Sequence, residues 1–253
     1  MCLVGFIAYK TDTHEKWQRR TTVQLNVSIY GERIKNEITN GFAITDALKQ
    51  ILISENGKIS QFDMIAENLI SDSIESVQLA PDGVVTDIYP AEGNEAGKID
   101  LLHDKDRGRI SCYARDNHTI ITQGPFELKQ NGYGIAVRDP IYLNDENGQE
   151  YFWGFAIVIL RVPDIFSDSI QALSDFGYEY RILKTVTPWS NTYKVVYQSD
   201  DQINHPVSYT FTIGDENWKF EVTPKSGWRN ATLLIIVIGM FLTISLLLSV
   251  LTR

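Results

Sequence analysis

The feature that most constrains this chain is a long uncharged segment near its C-terminal end. Residues Ala231–Leu251 read ATLLIIVIGMFLTISLLLSVL, 21 consecutive positions without Asp, Glu, Lys or Arg. About 20 apolar residues, rising about 1.5 Å each, cross the roughly 30 Å hydrocarbon core of a bilayer. Trp228, Arg229 and Arg253 flank the segment, as interfacial anchors do. The segment predicts a transmembrane helix, because a buried core helix is rarely so long and so uniform.

A shorter apolar stretch, MCLVGFIAYK, opens the chain. It is too short to span a membrane, and no basic region precedes it, so it does not match a signal peptide. We interpret residues 1–9 as the remnant of a first transmembrane helix and expect the natural sequence to extend beyond both ends. Residues 10–230 would then form an extracytoplasmic loop of a cell-membrane protein, with the lipid bilayer as a partner.

The composition of the chain is that of folded, water-soluble material outside these apolar segments. The chain is 43% apolar and 22% charged, with a formal net charge of −9. A negative chain without a basic stripe is not expected to bind nucleic acid. Its two cysteines, Cys2 and Cys112, make neither a metal-ligand spacing nor a disulfide framework. Cys112 is therefore interpreted as a small core residue.

A long helix is predicted for residues 10–54. Residues 12–53 lack proline, and apolar residues such as Ile34, Ile38 and Leu48 fall at helical spacing. The pair Asn40-Gly41 marks a possible break. The imperfect heptad pattern allows pairing with a second copy of the chain, as a homodimer, and equally allows packing against the chain's own domain.

Residues 55–164 predict an antiparallel sheet with helices around it. Two short strands flank a Pro81-Asp82-Gly83 turn, and a helix is expected from Asp100 to about Arg115. Three strand-like runs follow, HTIITQ, GYGIAVRDPIYL and YFWGFAIVIL. The last is uniformly apolar or small, which is typical of a central strand covered on both faces. This arrangement favours a PAS-like unit, placed far from the membrane.

Residues 165–227 predict a second, smaller unit beside the membrane. A helical stretch after Pro163 reaches about Phe176, and four strand-like runs follow, EYRILKTV, TYKVVYQ, VSYTFTI and NWKFEVTP. The fold class is therefore α+β: a long N-terminal helix, two PAS-like antiparallel-sheet units and a C-terminal transmembrane helix.

Motifs that carry catalysis are not present in the sequence. We find no HExxH, GxSxG, P-loop or dinucleotide-binding fingerprint. The acidic group Asp100, Asp104 and Asp106 could bind calcium, but it lacks an EF-hand spacing and contains Lys105 and Arg107. The sequence predicts no catalytic residue, no metal site and no cofactor.

One ordered set of short motifs resembles a known family. DLLHDKDR begins at Asp100, TIITQGPF at Thr119, GYGIAV at Gly132, PIY at Pro140 and WGF at Trp153. In order and spacing the set resembles the CHASE domain, the extracellular sensor of bacterial receptor kinases and cyclases and of plant cytokinin receptors. The resemblance covers about residues 60–165 by motif and the flanking parts by architecture only.

The resemblance implies a ligand pocket in the distal unit. From the resemblance, the candidates for contact with a ligand are Asp100, Thr122, Phe126, Tyr133 and Phe155. Two alternatives stay open. Asp100 could cap a helix without contacting a ligand, and the aromatic residues could pack in a core without contacting a ligand. Gln123-Gly124 and Ile141 depart from the family pattern, so an adenine-type ligand is not implied.

The function implied is that of a sensor for a small molecule. It would relay binding through the membrane to a cytoplasmic output domain not in this sequence, a diguanylate cyclase or a histidine kinase, so the chain itself would not be an enzyme. The alternatives are a Cache-like sensor, whose Arg and Trp-Tyr motif we do not find, and a membrane-anchored protein-interaction module without a small ligand. An ectoenzyme would need a nucleophile beside a base, and no such pair is found.

Overall fold

The structure, a computed structural model, describes residues 2–91, 96–128, 131–200, 202–229 and 231–251, with side chains undescribed at 2–8, 231–234, 248 and 251. The chain is α+β. Its helices and strands are α1 (Cys2–Ser54), α2 (Phe62–Glu67), β1 (Ile74–Pro81), β2 (Asp87–Tyr89), α3 (Gly108–Asp116), β3 (Ile121–Glu127), β4 (Tyr133–Asn144), β5 (Glu150–Val162), α4 (Ser167–Asp175), β6 (Tyr178–Thr185), β7 (Tyr193–Gln198), β8 (Val207–Ile213), β9 (Glu216–Pro224) and α5 (Ala231–Leu251).

Both sheets pack against helix α1. It packs against β8 and β9 with its first half and against β4 and β5 with its second half. The buried positions recur at spacings of three and four, as one face of a helix requires. They are Val23, Val27, Gly31, Ile34, Ile38, Gly41, Thr45, Leu48 and Leu52.

The break expected near Asn40-Gly41 is wrong, because α1 is continuous through it. The two glycines of this region allow close packing instead of ending the helix. A Cβ at Gly41 would lie 3.1 Å from a methyl of Leu160 on β5, and one at Gly31 would overlap the ring of Tyr209 on β8. Each glycine therefore lets one sheet approach the helix closely.

The first sheet has five strands in the order β2-β1-β5-β4-β3, and every pair is antiparallel. The hairpin predicted around Pro81-Asp82-Gly83 is confirmed, with β1 paired to β2 and positive φ at both Asp82 and Gly83. The central position of β5 is confirmed as well. We call this sheet, with α2 and α3, the distal unit.

The two faces of the distal sheet bury different sets of side chains. Along β5, Ala156, Val158 and Leu160 point toward α1, whereas Ile157 and Ile159 point the other way. Side chains alternate between faces along any strand, so a strand covered on both sides must be apolar at every position. This is why the run in β5 shows no alternation in the sequence.

The second sheet has four antiparallel strands in the order β7-β6-β9-β8, and α4 packs on β6. All four predicted strands are confirmed. The helical stretch expected after Pro163 consists of a short 3-10 turn, Asp164–Phe166, followed by α4. We call this sheet with α4 the proximal unit.

Helix α3 is shorter than predicted. It begins at Gly108 and not near Asp100. The residues between them form turns, because Asp100 and Asp104 accept backbone hydrogen bonds locally. A carboxylate that caps a turn in this way competes with continuous helix formation.

Helix α5 coincides with the segment predicted to cross the membrane. Within the part of the chain whose side chains are described, no helix combines the length and the apolarity that a span requires. The predicted transmembrane helix is therefore not found there. The predicted remnant at residues 1–9 lies mostly outside the described side chains, as does Arg253.

Candidate ligand-binding cavity

A cavity of about 450 Å³ opens on the face of the distal sheet that points away from α1. Strands β1, β3, β4 and β5, the turns before α3 and one residue of β7 form its walls. The lining residues are Glu75, Ser76, Gln78, Ile99, Leu101, Asp106, Arg107, Gln123, Gly124, Pro125, Phe126, Glu127, Leu128, Ala136, Arg138, Ile157, Ile159 and Lys194.

The floor of the cavity follows from strand alternation. Positions two apart on one strand share a face, so β4 contributes Ala136 and Arg138, and β5 contributes Ile157 and Ile159. On β1 the corresponding position is Gln78, which bonds Ser76 through its amide at 2.9 Å. The floor is thus apolar in its centre and polar on two strands.

One wall is a bend in β3 at Gly124. The pairing of β3 with β4 shifts register between Gln123 and Phe126. Gly124 has φ +134°, and a Cβ there would lie 2.6 Å from the carbonyl oxygen of Gly134. Glycine is therefore required for this bend, and the bend brings Phe126 to the cavity.

Arg138 is the most unusual residue of the floor. Its side chain is only 4% exposed. Burial of a charged guanidinium is unfavourable unless its charge and its hydrogen-bond donors are satisfied. Its Nη1 donates to the hydroxyl of Ser111 on α3 at 3.3 Å, and its Nε finds no partner among the described residues. Burial, and then the nearby charge of Arg107, lowers the pKa of Arg138 to about 9, while Asp104 acts in the opposite direction.

Two further cations line the cavity. Arg107 precedes α3, and its backbone N–H donates to Asp104 at 2.8 Å. This hydrogen bond is the main reason why the pKa of Asp104 lies below its ordinary value. Lys194 comes from β7 of the proximal sheet, where burial, and then the charge of Lys184, lowers its pKa to about 8.

The carboxylates of the lining balance these cations only in part. Glu75 is buried and forms an ion pair with Arg161, which does not line the cavity. Asp106 and Glu127 are exposed at the rim, where solvent screens their charge. Within the described residues, no three His, Cys, Asp or Glu side chains converge in a way that could hold a metal ion.

The five residues predicted from the resemblance do not all meet at this cavity. Phe126 lines it. Tyr133 is half exposed at the start of β4, and Phe155 is fully buried on the same face of β5 as Ile157 and Ile159, but it does not line the cavity. Asp100 accepts hydrogen bonds from the backbone N–H groups of Leu102 and His103, both at 3.1 Å. Its neighbours along the chain, not its own side chain, reach the cavity, and its ligand contact stays a prediction.

Thr122, the fifth predicted residue, lies at the junction of the two sheets. Its backbone N–H donates to Oε2 of Glu216 at 2.9 Å, and its hydroxyl donates to the same oxygen. Nζ of Lys184 donates to the carbonyl oxygen of Thr122 at 2.9 Å and to Oε1 of Glu216 at 2.7 Å. The polar atoms of Thr122 are thus bonded to the proximal unit, and its contact with a ligand stays a prediction.

Sequence reasoning missed Arg138 and Lys194. A signal for Arg138 was available, since it is the one cation in the run GYGIAVRDPIYL, which is apolar apart from Arg138 and the adjacent Asp139. A charge at that place in a buried strand marks a functional candidate. Lys194 carried no such signal, because only the packing of the proximal sheet against the distal unit brings it to the cavity.

Comparison with solved structures shows a similar fold in two receptor proteins. An extracellular ligand-binding receptor from Desulfohalobium retbaense matches with a TM-score of 0.58 and 13% identity over 79% of this chain. The ligand-binding domain of the Pseudomonas aeruginosa amino acid chemoreceptor PctC, in complex with GABA, matches with a TM-score of 0.58 and 11% identity over 81% of this chain. The chain spans 40% of the first of these proteins and 99% of the second.

Comparison with curated protein sequences gives no significant match. The model of the CHASE domain family, in contrast, matches residues 33–192. The match runs from the middle of α1 to the residue before β7, and so includes the whole distal sheet and all the motifs on which the resemblance was based. It covers well over half of the described chain. The chain belongs to the CHASE domain family.

Proposed function

We propose that the chain is the extracytoplasmic sensor of a signalling receptor and that its ligand is a small molecule held in the distal cavity. The observation that carries the proposal is the cavity itself, which lies in the unit that the family match covers. Its volume of about 450 Å³ falls within the roughly 300–1,000 Å³ of typical small-molecule sites. A largely apolar lining with a few polar groups is also typical of such sites.

The alternative of a protein-interaction module without a small ligand is less well supported. Such a module would fill the interior of the distal unit with side chains and present an apolar patch on its sheet. The distal sheet instead has α1 on one face and a cavity with a buried cation on the other. A filled interior is the arrangement that this alternative requires, so the cavity favours the sensor.

A route for the signal runs from the cavity wall to the proximal unit. Strand β3 contributes Phe126 to the wall, and four residues earlier Thr122 is bonded to Lys184 and Glu216 of the proximal sheet. Tyr113 on α3 donates to Asp215 at 3.1 Å in the turn that precedes β9. A ligand that moves β3 or α3 would therefore move the proximal sheet, to the extent that it binds one arrangement more tightly.

The segment that joins the proximal unit to α5 contacts the first part of α1. Arg229 forms an ion pair with Asp12 of α1 at 3.5 Å, and Arg20 lies over the ring of Trp228 at 4.8 Å. We propose that α5 anchors the chain in a cell membrane, on the strength of its uncharged sequence, and leads to an output domain. A diguanylate cyclase or a histidine kinase would suit this role, and the chain itself would contribute no catalytic step.

We further propose that α1 pairs with α1 of a second copy. Its outward face carries large apolar side chains that the chain does not cover, among them Trp17, Leu25 and Ile29. Each is more than half exposed, and pairing would bury them. Light scattering of the detergent-solubilised chain tests the dimer, and Leu25→Glu should shift it toward the monomer.

Two kinds of substitution test the sensor proposal. Ala136→Phe places a ring in the cavity, whereas Ala47→Phe places the same ring on the exposed face of α1. We expect a pool of extracellular metabolites to raise the melting temperature of the wild type and of Ala47→Phe but not of Ala136→Phe. Equal stabilisation of all three proteins would show that the ligand does not bind in the cavity.

A further inference from the structure

We propose that the cavity binds a small organic anion, a carboxylate with an apolar body, held between Arg138 of the distal sheet and Lys194 of the proximal sheet. The inference rests on the proposed sensor function and specifies the class of its ligand. It also assigns the anion a structural role, because its two cationic partners belong to different units.

The first argument is the state of Arg138. A buried guanidinium is stable only when its charge and its donors are satisfied. Here the one described hydrogen-bond acceptor of its side chain is the neutral hydroxyl of Ser111, and Nε is unpartnered among the described residues. A carboxylate in the cavity would supply both the missing charge and an acceptor, and arginine is suited to bind carboxylates in a bidentate manner.

The second argument is the balance of charge along the lining. Arg107, Arg138 and Lys194 are cations of the wall, and the one buried carboxylate, Glu75, is already paired with Arg161. Burial is the largest cause of the lowered pKa values of Arg138 and Lys194, and the charges of Asp104 and Glu216 offset it only in part. An anionic ligand would lower the cost of burying both cations.

The third argument is the shape of the rest of the lining. Apolar side chains form the centre of the floor and the opposite walls, so the body of the ligand must be apolar and of the size of a single or fused ring. These side chains are Ile99, Leu101, Phe126, Leu128, Ile157 and Ile159. Besides the cations, the polar side chains of the lining are Glu75, Ser76, Gln78, Gln123 and, exposed at the rim, Asp106 and Glu127.

The participation of Lys194 makes the anion a link between the units. Lys194 lies on β7 and pairs with Lys184 across β6 and β7, and Lys184 in turn bonds Thr122. An anion that contacts Arg138 and Lys194 would therefore draw β7 toward the distal floor. Binding of the anion would thus also change how the two sheets pack against each other.

Calorimetric titration of the full chain in detergent micelles tests this inference. The probes are carboxylates from acetate through benzoate to indole-3-acetate, each compared with its primary amide up to millimolar concentration. We expect at least one carboxylate to bind about tenfold or more tightly than its amide, since a charge-assisted pair replaces an unpaired buried cation. The variants are Arg138→Gln and Lys194→Met, and the matched control is Arg109→Gln, whose guanidinium lies over Trp189 outside the cavity.

The preference for acid over amide should disappear in Arg138→Gln, fall in Lys194→Met and persist in Arg109→Gln. Because Arg138→Gln can affect folding, Lys194→Met provides an independent readout on a half-buried residue. Equal affinity for acid and amide, or no binding by any carboxylate, overturns the inference. Binding of neutral probes that Ala136→Phe abolishes would leave the sensor proposal standing, whereas neutral binding that Ala136→Phe does not affect would contradict both.

Discussion

Nζ of Lys184 and Oε1 of Glu216 lie 2.7 Å apart at a place where neither side chain reaches solvent. The pair belongs to the proximal sheet, yet both members also bond Thr122 of the distal sheet. A buried ion pair is stable only with good geometry and further hydrogen bonds, and Thr122 provides them. The junction of the two units is therefore polar and directional, unlike the largely apolar packing of both units on α1.

Removing one member of this pair should be strongly destabilising. We expect Glu216→Gln to lower the free energy of unfolding by about 3–5 kcal/mol, because Lys184 is left buried without its counter-charge. The control is Asp168→Asn, which breaks an exposed pair with Arg33 and should cost about 0–1 kcal/mol. Urea unfolding followed by circular dichroism measures both, and similar losses would show that the buried pair has no special role.

Thr122→Val separates the junction from the ligand site. The variant keeps the volume of the side chain but removes the hydroxyl that donates to Glu216. Losing a hydrogen bond to a charged group should cost about 1.5–3 kcal/mol. We expect ligand affinity to be unchanged while the ligand-dependent output of a receptor that carries the variant falls. A loss of affinity with normal stability would instead support the ligand contact predicted from the resemblance.

The stability that Asp100 contributes should depend on pH. The backbone N–H of His103, followed by other local donors, holds the pKa of Asp100 below its ordinary 3.8. The folded state thus prefers the ionised carboxylate, so the contribution is fully present above pH 3.8 and is lost as the pH falls through the lowered pKa.

We therefore expect Asp100→Asn to be less stable than the wild type near neutral pH and to approach the wild type in acid. Urea midpoints measured at several pH values test this. The control is Asp72→Asn, because Asp72 is exposed and its carboxylate accepts no hydrogen bond from the described residues. A difference between wild type and Asp100→Asn that is constant with pH would mean that the charge of Asp100 does not contribute.

Gly154 on β5 should not tolerate a side chain. It has φ +152°, and a Cβ there would overlap the carbonyl oxygen of Ala80 on β1. Gly148 is a matched control, because its φ is +78° but no atom lies within 4 Å of the added Cβ. Gly148→Ala should cost about 1–2 kcal/mol for the backbone alone, and Gly154→Ala more than about 3 kcal/mol. Equal costs in thermal unfolding would show that β1 yields freely.

Much of the fold could be predicted because its signals are local. The Pro81-Asp82-Gly83 turn, the run of Tyr151–Leu160 and the strands of the proximal sheet each express their structure within a few residues. The predicted start of α3 was wrong because the carboxylates of Asp100 and Asp104 cap turns in place of a continuous helix. Whether such turns replace a helix depends on local geometry that the sequence does not show.

The candidate site was harder to predict because its residues converge from distant parts of the chain. Phe126 was found through a motif on one strand. Lys194 reaches the cavity only through the packing of one sheet on another, and Thr122 is turned toward the proximal unit by Glu216, which follows it far along the sequence. Contacts of this kind have no sequence period, so neither propensity nor spacing reports them.

The central claim is that binding of a small molecule in the distal cavity changes the packing or the stability of the proximal sheet. Amide hydrogen exchange of the wild-type chain, with and without pools of amino acids, organic acids and nucleobases, tests it most directly. We predict that one pool slows exchange both in the cavity wall at residues 123–128 and in β7 around Lys194. Protection confined to other surfaces, or no change with any pool, would contradict the account.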